Sequence, residues 1–220
     1  MRVLKKESDK LIASKFELNR RRLNWRLVVQ EKVENYLNSI SKQAKLQGYP
    51  FNLYCYVNDE TDNEYAVQLT SSKNKTGVIE RIDTPECKGG TCEIEKGSAL
   101  VVSFHSTGRV AIIIYPYKSE RYSLKGDNII LYQNISPDDI SNRLLKKCIS
   151  KYFMYIRYSS VHGSYCCSFL DHLRVQWMNI IDIRNRHKLL SSFCSISGEW
   201  LKIIGAGIAG YIVALAVQST

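Results

Sequence analysis

Four short stretches of this 220-residue sequence carry side chains that do chemistry when the fold brings them together. His105-Ser-Thr107 and His162-Gly-Ser164 each set an imidazole two residues from a hydroxyl. Two imidazoles facing one substrate can serve as general acid and general base. Cys87-Lys-Gly-Gly-Thr-Cys92 places two thiols across a glycine turn. Two further ligands, from His162, Cys166, Cys167 and His172, would complete a tetrahedral zinc site, although C-x4-C is not the usual C-x2-C spacing. Gly205-Ala-Gly207-Ile-Ala-Gly210 fits the pattern G-x-G-x-x-G.

Three of these stretches carry two family resemblances between them. The paired H-x-[ST] elements resemble those of two-histidine phosphoesterases. That resemblance implies His105 and His162 as acid and base on a phosphodiester, with Thr107 and Ser164 beside them. In that family both elements lie within strands, whereas here Thr107 enters a turn and His162 falls in a loop after a helix. The string GAGIAG resembles the opening of flavin and nicotinamide enzymes. Such a loop works only when a helix returns the chain to a second parallel strand, with an acidic residue about 20 positions on for the ribose. Ten residues follow Gly210 in the sequence, which leaves room for neither. No cofactor is expected. No G-x-S-x-G, Walker loop or H-E-x-x-H is present, and the sequence reads as non-enzymatic.

Composition sets the class of partner. Lys and Arg number 31 against 21 Asp and Glu, giving a net charge of +10. That balance suits a nucleic acid or an anionic membrane face, or it simply solvates the surface. Hydrophobic residues make up 45%, which excludes a disordered chain. Met1 to Lys10 is polar and offers no signal-peptide core. With that N-terminus, seven cysteines, an odd number, point to free thiols in a reducing compartment. Cys166-Cys167 reads either as a lipidation site or as two buried thiols. The run Asn19-Arg20-Arg21-Arg22 reads as a solvated helix face or a phosphate or lipid contact.

The elements that must position these residues follow from periodicity. Ser8 to about Gln47 has helical spacing at Val29, Val33, Leu37, Ile40 and Ala44, with Ser8 as cap and Gly48 and Pro50 as stop. From Phe51 the period changes to two. Strands are expected near 51–57, 64–70, 77–82, 99–105, 110–115 and 128–133, joined by turns, hence an antiparallel sheet. The fifth of these is apolar on both faces, as is the fourth beside it, which places the pair at the sheet centre. Ser136-Pro-Asp-Asp139 is a helix start, with the helix running to about Tyr158. A second helix, from near Ser168 to Cys194, carries Phe169, Leu173, Trp177, Ile180 and Ile181 on one stripe, and both helices are expected to pack on the sheet. The class is α+β: an N-terminal helical part (1–48), a sheet of about six strands (51–133) and two C-terminal helices (136–195) forming one domain over 1–197.

The glycine string belongs to an uncharged run, Ile203 to Val217, which Leu201 extends to 17 residues interrupted only by Lys202, reaching the lower limit for crossing a bilayer. A single transmembrane helix is expected over 199–218. Trp200 and Lys202 sit at one end as interfacial anchors, and Arg184, Arg186 and Lys188 precede it as headgroup contacts. The positive-inside rule then leaves the larger domain cytoplasmic, at a cell (inner) membrane. Gly205 with Ala209, and Ala206 with Gly210, form small-xxx-small pairs that suit a self-associating span. The expected protein is tail-anchored, with the lipid bilayer as one partner, further copies of itself as another, and a protein or nucleotide ligand for the soluble part. The plan is similar to small sensor-plus-span effectors of bacterial antiphage systems. The alternative is a soluble basic nucleic-acid- or nucleotide-binding protein whose tail is a core helix.

Overall fold

A helical rod opens the chain. Helix α1 (Arg2–Asn24) passes through one π-helical turn (Trp25–Val29) into α2 (Gln30–Leu46). The extra residue of a π turn re-phases the helix, and here Trp25, Val29, Val33, Leu37 and Ala44 all become buried. Helix formation begins at Arg2, so Ser8 lies inside the helix and caps nothing. Most of α1 stands clear, leaving Leu4, Leu11, Ile12 and Phe16 exposed. Gly48, at φ +66°, ends the rod.

The computed structural model describes residues 2–58, 65–84, 87–119, 126–182 and 184–185. The chain divides into two compact units, 1–178 and 179–220, and the second is described only at 179–182 and 184–185.

Among the described residues seven strands follow the rod: β1 (Leu53–Asn58), β2 (Tyr65–Ser71), β3 (Asn74–Thr84), β4 (Cys87–Glu95), β5 (Ala99–Phe104), β6 (Val110–Tyr115) and β7 (Ile129–Ile135). Five form an antiparallel sheet in the order β1-β2-β5-β6-β7, and β3 pairs with β4 as a separate two-stranded sheet. The expectation of about six strands missed β4, because Lys88-Gly-Gly-Thr91 reads as a turn. Those residues pair in register with β3 as ladder positions. Beyond the sheet, a short 3-10 turn (Pro137–Asp139) leads to α3 (Asn142–Ser159), the four-residue α4 (Val161–Ser164) and α5 (Phe169–Ile181).

Alternation along each strand decides which face is covered. Val67, Leu69, Leu100, Val102, Phe104, Ile112 and Ile114 point to one side and join a single core with α2 and α3. Trp25 stacks on Phe104 at 5.2 Å between ring centroids. Helix α3 contributes Leu145, Cys148, Ile149, Tyr152 and Ile156. Its start is displaced from the expected one: Ser136 caps only the 3-10 turn, Ile140 breaks the chain into extended backbone, and Ser141 caps α3 by accepting from the Leu144 N–H.

The basic run near the top of α1 proves structural. Arg20 donates to Asp138 at 2.7 Å and Arg22 donates to the Ser106 carbonyl at 2.8 Å, so the rod is pinned to the 3-10 turn and to the β5–β6 turn. The Arg20 hydrogen bond also holds the Asp138 carboxyl below its usual range.

At the other end of β5 the chain turns through Gly97, whose ideal Cβ would lie 1.9 Å from the Ser71 carbonyl oxygen. No side chain fits there without moving backbone. Gly97→Ala is expected to cost about 2 kcal/mol or more, as overpacking against backbone does. Urea unfolding checks this; an unchanged midpoint would show that the β4–β5 junction yields freely.

Candidate functional site

The second face of the five-stranded sheet has a different chemistry. Cross-strand rows read Tyr54–Thr70–Ala99–Tyr115 and Tyr56–Gln68–Val101–Ile113. None of these eight residues belongs to the core cluster. Tyr54, Tyr56 and Tyr115 are exposed, and the two β1 tyrosines lie 6.3 Å apart. Between the aromatic margins the floor is low, because Ala66, Ala99, Thr70 and Ser103 are small. The result is a shallow cavity of about 640 Å³ floored by Ala66, Gln68, Ala99, Val101 and Ser103.

The charge around this cavity is one-sided. Lys96 and Lys118 line it, with His105 at its far margin. The two lysines face each other across an isolated antiparallel bridge: the Lys96 N–H donates to the Lys118 carbonyl at 2.7 Å and the Lys118 N–H donates back at 3.2 Å. Residues that exchange both hydrogen bonds have Cα atoms about 5.5 Å apart and side chains on the same face. Directly opposed like charges destabilise a sheet. Neither ammonium forms an ion pair with a described residue.

The residues that carry Lys96 are fixed from below. Glu95 is fully buried, and its carboxylate accepts from the Val161 N–H at 2.8 Å and from the Ser160 hydroxyl at 3.1 Å. It therefore ties the end of β4 to the α3–α4 junction. Ser71, Ser98 and Tyr152 form a buried hydroxyl cluster alongside. Burial pushes the Tyr152 hydroxyl above its ordinary pKa, keeping it neutral and available as donor and acceptor.

The two H-x-[ST] elements are not brought together. His105 follows β5 and belongs to the β5–β6 turn, where its N–H donates to the Arg109 carbonyl at 2.8 Å. His162 lies in α4, with Nε2 2.7 Å from the Lys75 carbonyl oxygen, beside the opposite end of β5. Six residues of strand, about 20 Å, separate the two ends. Thr107 is an exposed turn residue and Ser164 donates to the Val161 carbonyl, so neither assists an imidazole. A two-histidine phosphodiesterase centre is not formed.

Cys87 and Cys92 stand five positions apart on β4, opposite Thr84 and Ile79, about 17 Å along the strand. That spacing does not close around one ion. Among the described residues no group of three or more His, Cys, Asp or Glu side chains is placed to hold a metal.

No protein-family model matches the chain, and no curated protein or solved structure is significantly similar to it.

The membrane-directed expectations divide at the limit of description. Arg186, Lys188, Trp200, Lys202, Gly205, Ala206, Ala209 and Gly210 lie outside the described residues. Arg184 is described, and its guanidinium is paired with Asp182 at 2.8 Å. Among the described residues no helix is long and apolar enough to cross a membrane.

Helix α5 overturns one expectation directly. The stripe Phe169, Leu173 and Trp177 does not pack on the sheet; these residues are 76%, 50% and 62% exposed. Leu170 is exposed with them, and so are Ile180 and Ile181 in the last turn. The face that docks is the opposite one, through Val175, Met178 and the nearly buried Asp171. Asp171 meets Arg157 of α3 at 3.5 Å, and His172 packs edge-on against Tyr158 at 5.1 Å. The sequence pattern showed a continuous apolar stripe but not that a second, mixed stripe with a carboxylate would win the core. An Arg157 partner makes that burial tolerable.

Lys96, Lys118 and Tyr115 were missed. They are scattered in sequence, and only the register of β4, β5 and β6 gathers them; the abundance of strand tyrosines was the one available signal.

The cysteines are correspondingly unequal. Cys166 is exposed rather than buried, in the turn after α4. Burial pushes the Cys148 thiol up to about 12 and the Cys55 thiol up to about 11. At pH 8 a thiol of pKa about 12 is thiolate in only about one molecule in 10⁴. Alkylation of the folded protein at pH 8, mapped by peptide mass, is expected to label Cys166 well before Cys55 and Cys148. Equal labelling would contradict the burial of α3.

Proposed function

We propose that this chain is a membrane-anchored, non-enzymatic effector: an α+β domain on the cytoplasmic side senses a ligand, and a self-associating C-terminal span acts in the bilayer. The single observation that carries the reading is the outer face of α5. Phe169, Leu170, Leu173 and Trp177 point away from the core, where water would otherwise meet them. Large apolar side chains exposed together mark a membrane or partner contact. The sequence beyond the helix supplies the rest of a membrane approach: Arg184, Arg186 and Lys188, then Trp200 and Lys202, then fifteen residues without charge from Ile203 to Val217. A helix with an aromatic and aliphatic outer face lies naturally in the interfacial plane, followed by basic residues at the headgroups.

This order also favours membrane over a soluble helix pair. In water, the glycines of Gly205-Ala-Gly207-Ile-Ala-Gly210 weaken a helix by about 1 kcal/mol each relative to Ala. In lipid the same small residues permit close helix approach. Clustering of such spans is how a small effector would perturb a bilayer.

The full-length protein is expected to sediment with membranes and to resist carbonate extraction. Recovery in the aqueous fraction would remove the anchor. Gly210→Leu keeps the run apolar, so insertion should persist while crosslinked oligomers in membranes decrease at least several-fold. Equal oligomer yield from both proteins would leave a span without a self-associating face.

A further inference from the structure

The geometry points to the outer sheet face as a binding site for a free mononucleotide, with the Lys96–Lys118 pair taking the phosphate and Tyr115 stacking on the base. This deepens the proposed function by assigning a class to the sensed ligand, and it rests on that reading only for the ligand's role.

Two exposed lysines are fixed opposite each other by reciprocal backbone hydrogen bonds, and no described residue neutralises either. Among the described residues the cavity lining contains no carboxylate. The protein therefore holds two like charges side by side at the edge of a concave surface, an arrangement that costs stability and that an anion bridging both ammonium groups would relieve. Lysine is a point-charge binder of phosphate and needs no fork geometry.

The rest of the cavity fits what is attached to the phosphate. Tyr115 pairs across the sheet with Ala99, so its ring stands beside a floor with no bulk. From Tyr115 to Tyr54 is three strand spacings, about 14 Å, floored by Ala99 and Thr70. A base laid against the Tyr115 ring gains stacking on the order of 1–3 kcal/mol. Gln68, in the floor, offers an amide donor and acceptor to a base edge. A volume of about 640 Å³ is in the range of small-ligand sites.

One nucleotide is favoured over a polymer by where the charge lies. The lysines are gathered at one end of the cavity, while Asn58, Ala66 and Ser103 line it towards the other end of the strands. A single-strand binder instead runs its basic groove along the backbone of several nucleotides.

The test uses full-length protein in detergent micelles and a fluorescent ATP analogue, with unlabelled ATP, inorganic phosphate and a single-stranded oligothymidine as competitors. Saturable binding that ATP competes is expected. The double variant Lys96→Glu/Lys118→Glu should weaken it at least tenfold, and Lys96→Arg/Lys118→Arg should restore most of it. Tyr115→Ala should weaken binding about tenfold and Tyr115→Phe should not, because the ring and not the hydroxyl stacks. Thermal melts accompany each variant, and the arginine and phenylalanine variants keep the result readable if a harsher one unfolds. Four outcomes overturn the assignment: no saturable binding, affinity unchanged by the glutamate pair in a folded protein, phosphate competing as well as ATP, or an oligonucleotide binding more tightly with length. Membrane sedimentation of the same proteins before detergent extraction separates the readings. Sedimentation without nucleotide binding rejects this site alone, and nucleotide binding without sedimentation rejects the anchor alone.

Discussion

One-sided burial of the five-stranded sheet is the constraint from which the remaining architecture follows. The inner residues of β5 and β6, Leu100, Val102, Phe104, Ile112 and Ile114, are almost completely removed from water. Each such side chain contributes about 1.5–3 kcal/mol when buried, and they can be buried only if helices cover that face. Helices α2 and α3 do so. The π turn at Trp25 places the rod's apolar residues over β1, β2 and the end of β5, and Glu95 fixes the other end of the covered face by holding the start of α4. With both large helices committed to one side, the opposite face has no described helix to cover it.

Among the described residues two surfaces are thereby left without a partner, and their chemistries differ. The outer sheet face is small and polar at its floor, aromatic at its margins and positively charged at one end. The outer face of α5 is large, apolar and directed away from the core. In the proposed reading a nucleotide occupies the first, where the lysines attract phosphate, and hydrocarbon covers the second, which offers no charge. In the proposed reading, having the two on separate elements would let one domain hold a soluble ligand while lying against a bilayer.

Much of the fold was legible because its signals were local. The alternation in 51–57, 64–70, 99–105 and 110–115 placed four strands within a residue or two, and the tight turn at Ser106–Arg109 announced the central hairpin. The helical spacing from Val29 to Ala44 named the buried stripe of α2. What escaped was set by competition between distant groups. Lys88-Gly-Gly-Thr91 has turn composition but pairs with β3. Ser8 is a good cap that the continuing helix does not use. The apolar stripe of α5 lost the core to Asp171, Val175 and Met178, a choice that depends on Arg157 of another helix. The candidate site was less legible still, since Lys96 and Lys118 become neighbours only through a bridge between segments 22 positions apart.

The claim at the centre of this account is that the outer face of α5 lies against lipid, and tryptophan quenching tests it most directly. The sequence has three tryptophans. Replacing Trp200 by Phe leaves Trp177, which is exposed on α5, and Trp25, which is 1% exposed in the core and serves as an unquenched background. In liposomes containing anionic lipid brominated at shallow acyl positions, about half of the remaining fluorescence should be quenched, and Trp177→Phe should abolish that quenching. Fluorescence unaffected by brominated lipid, with the protein bound to the liposomes, would show that α5 faces water or another protein and would contradict the account.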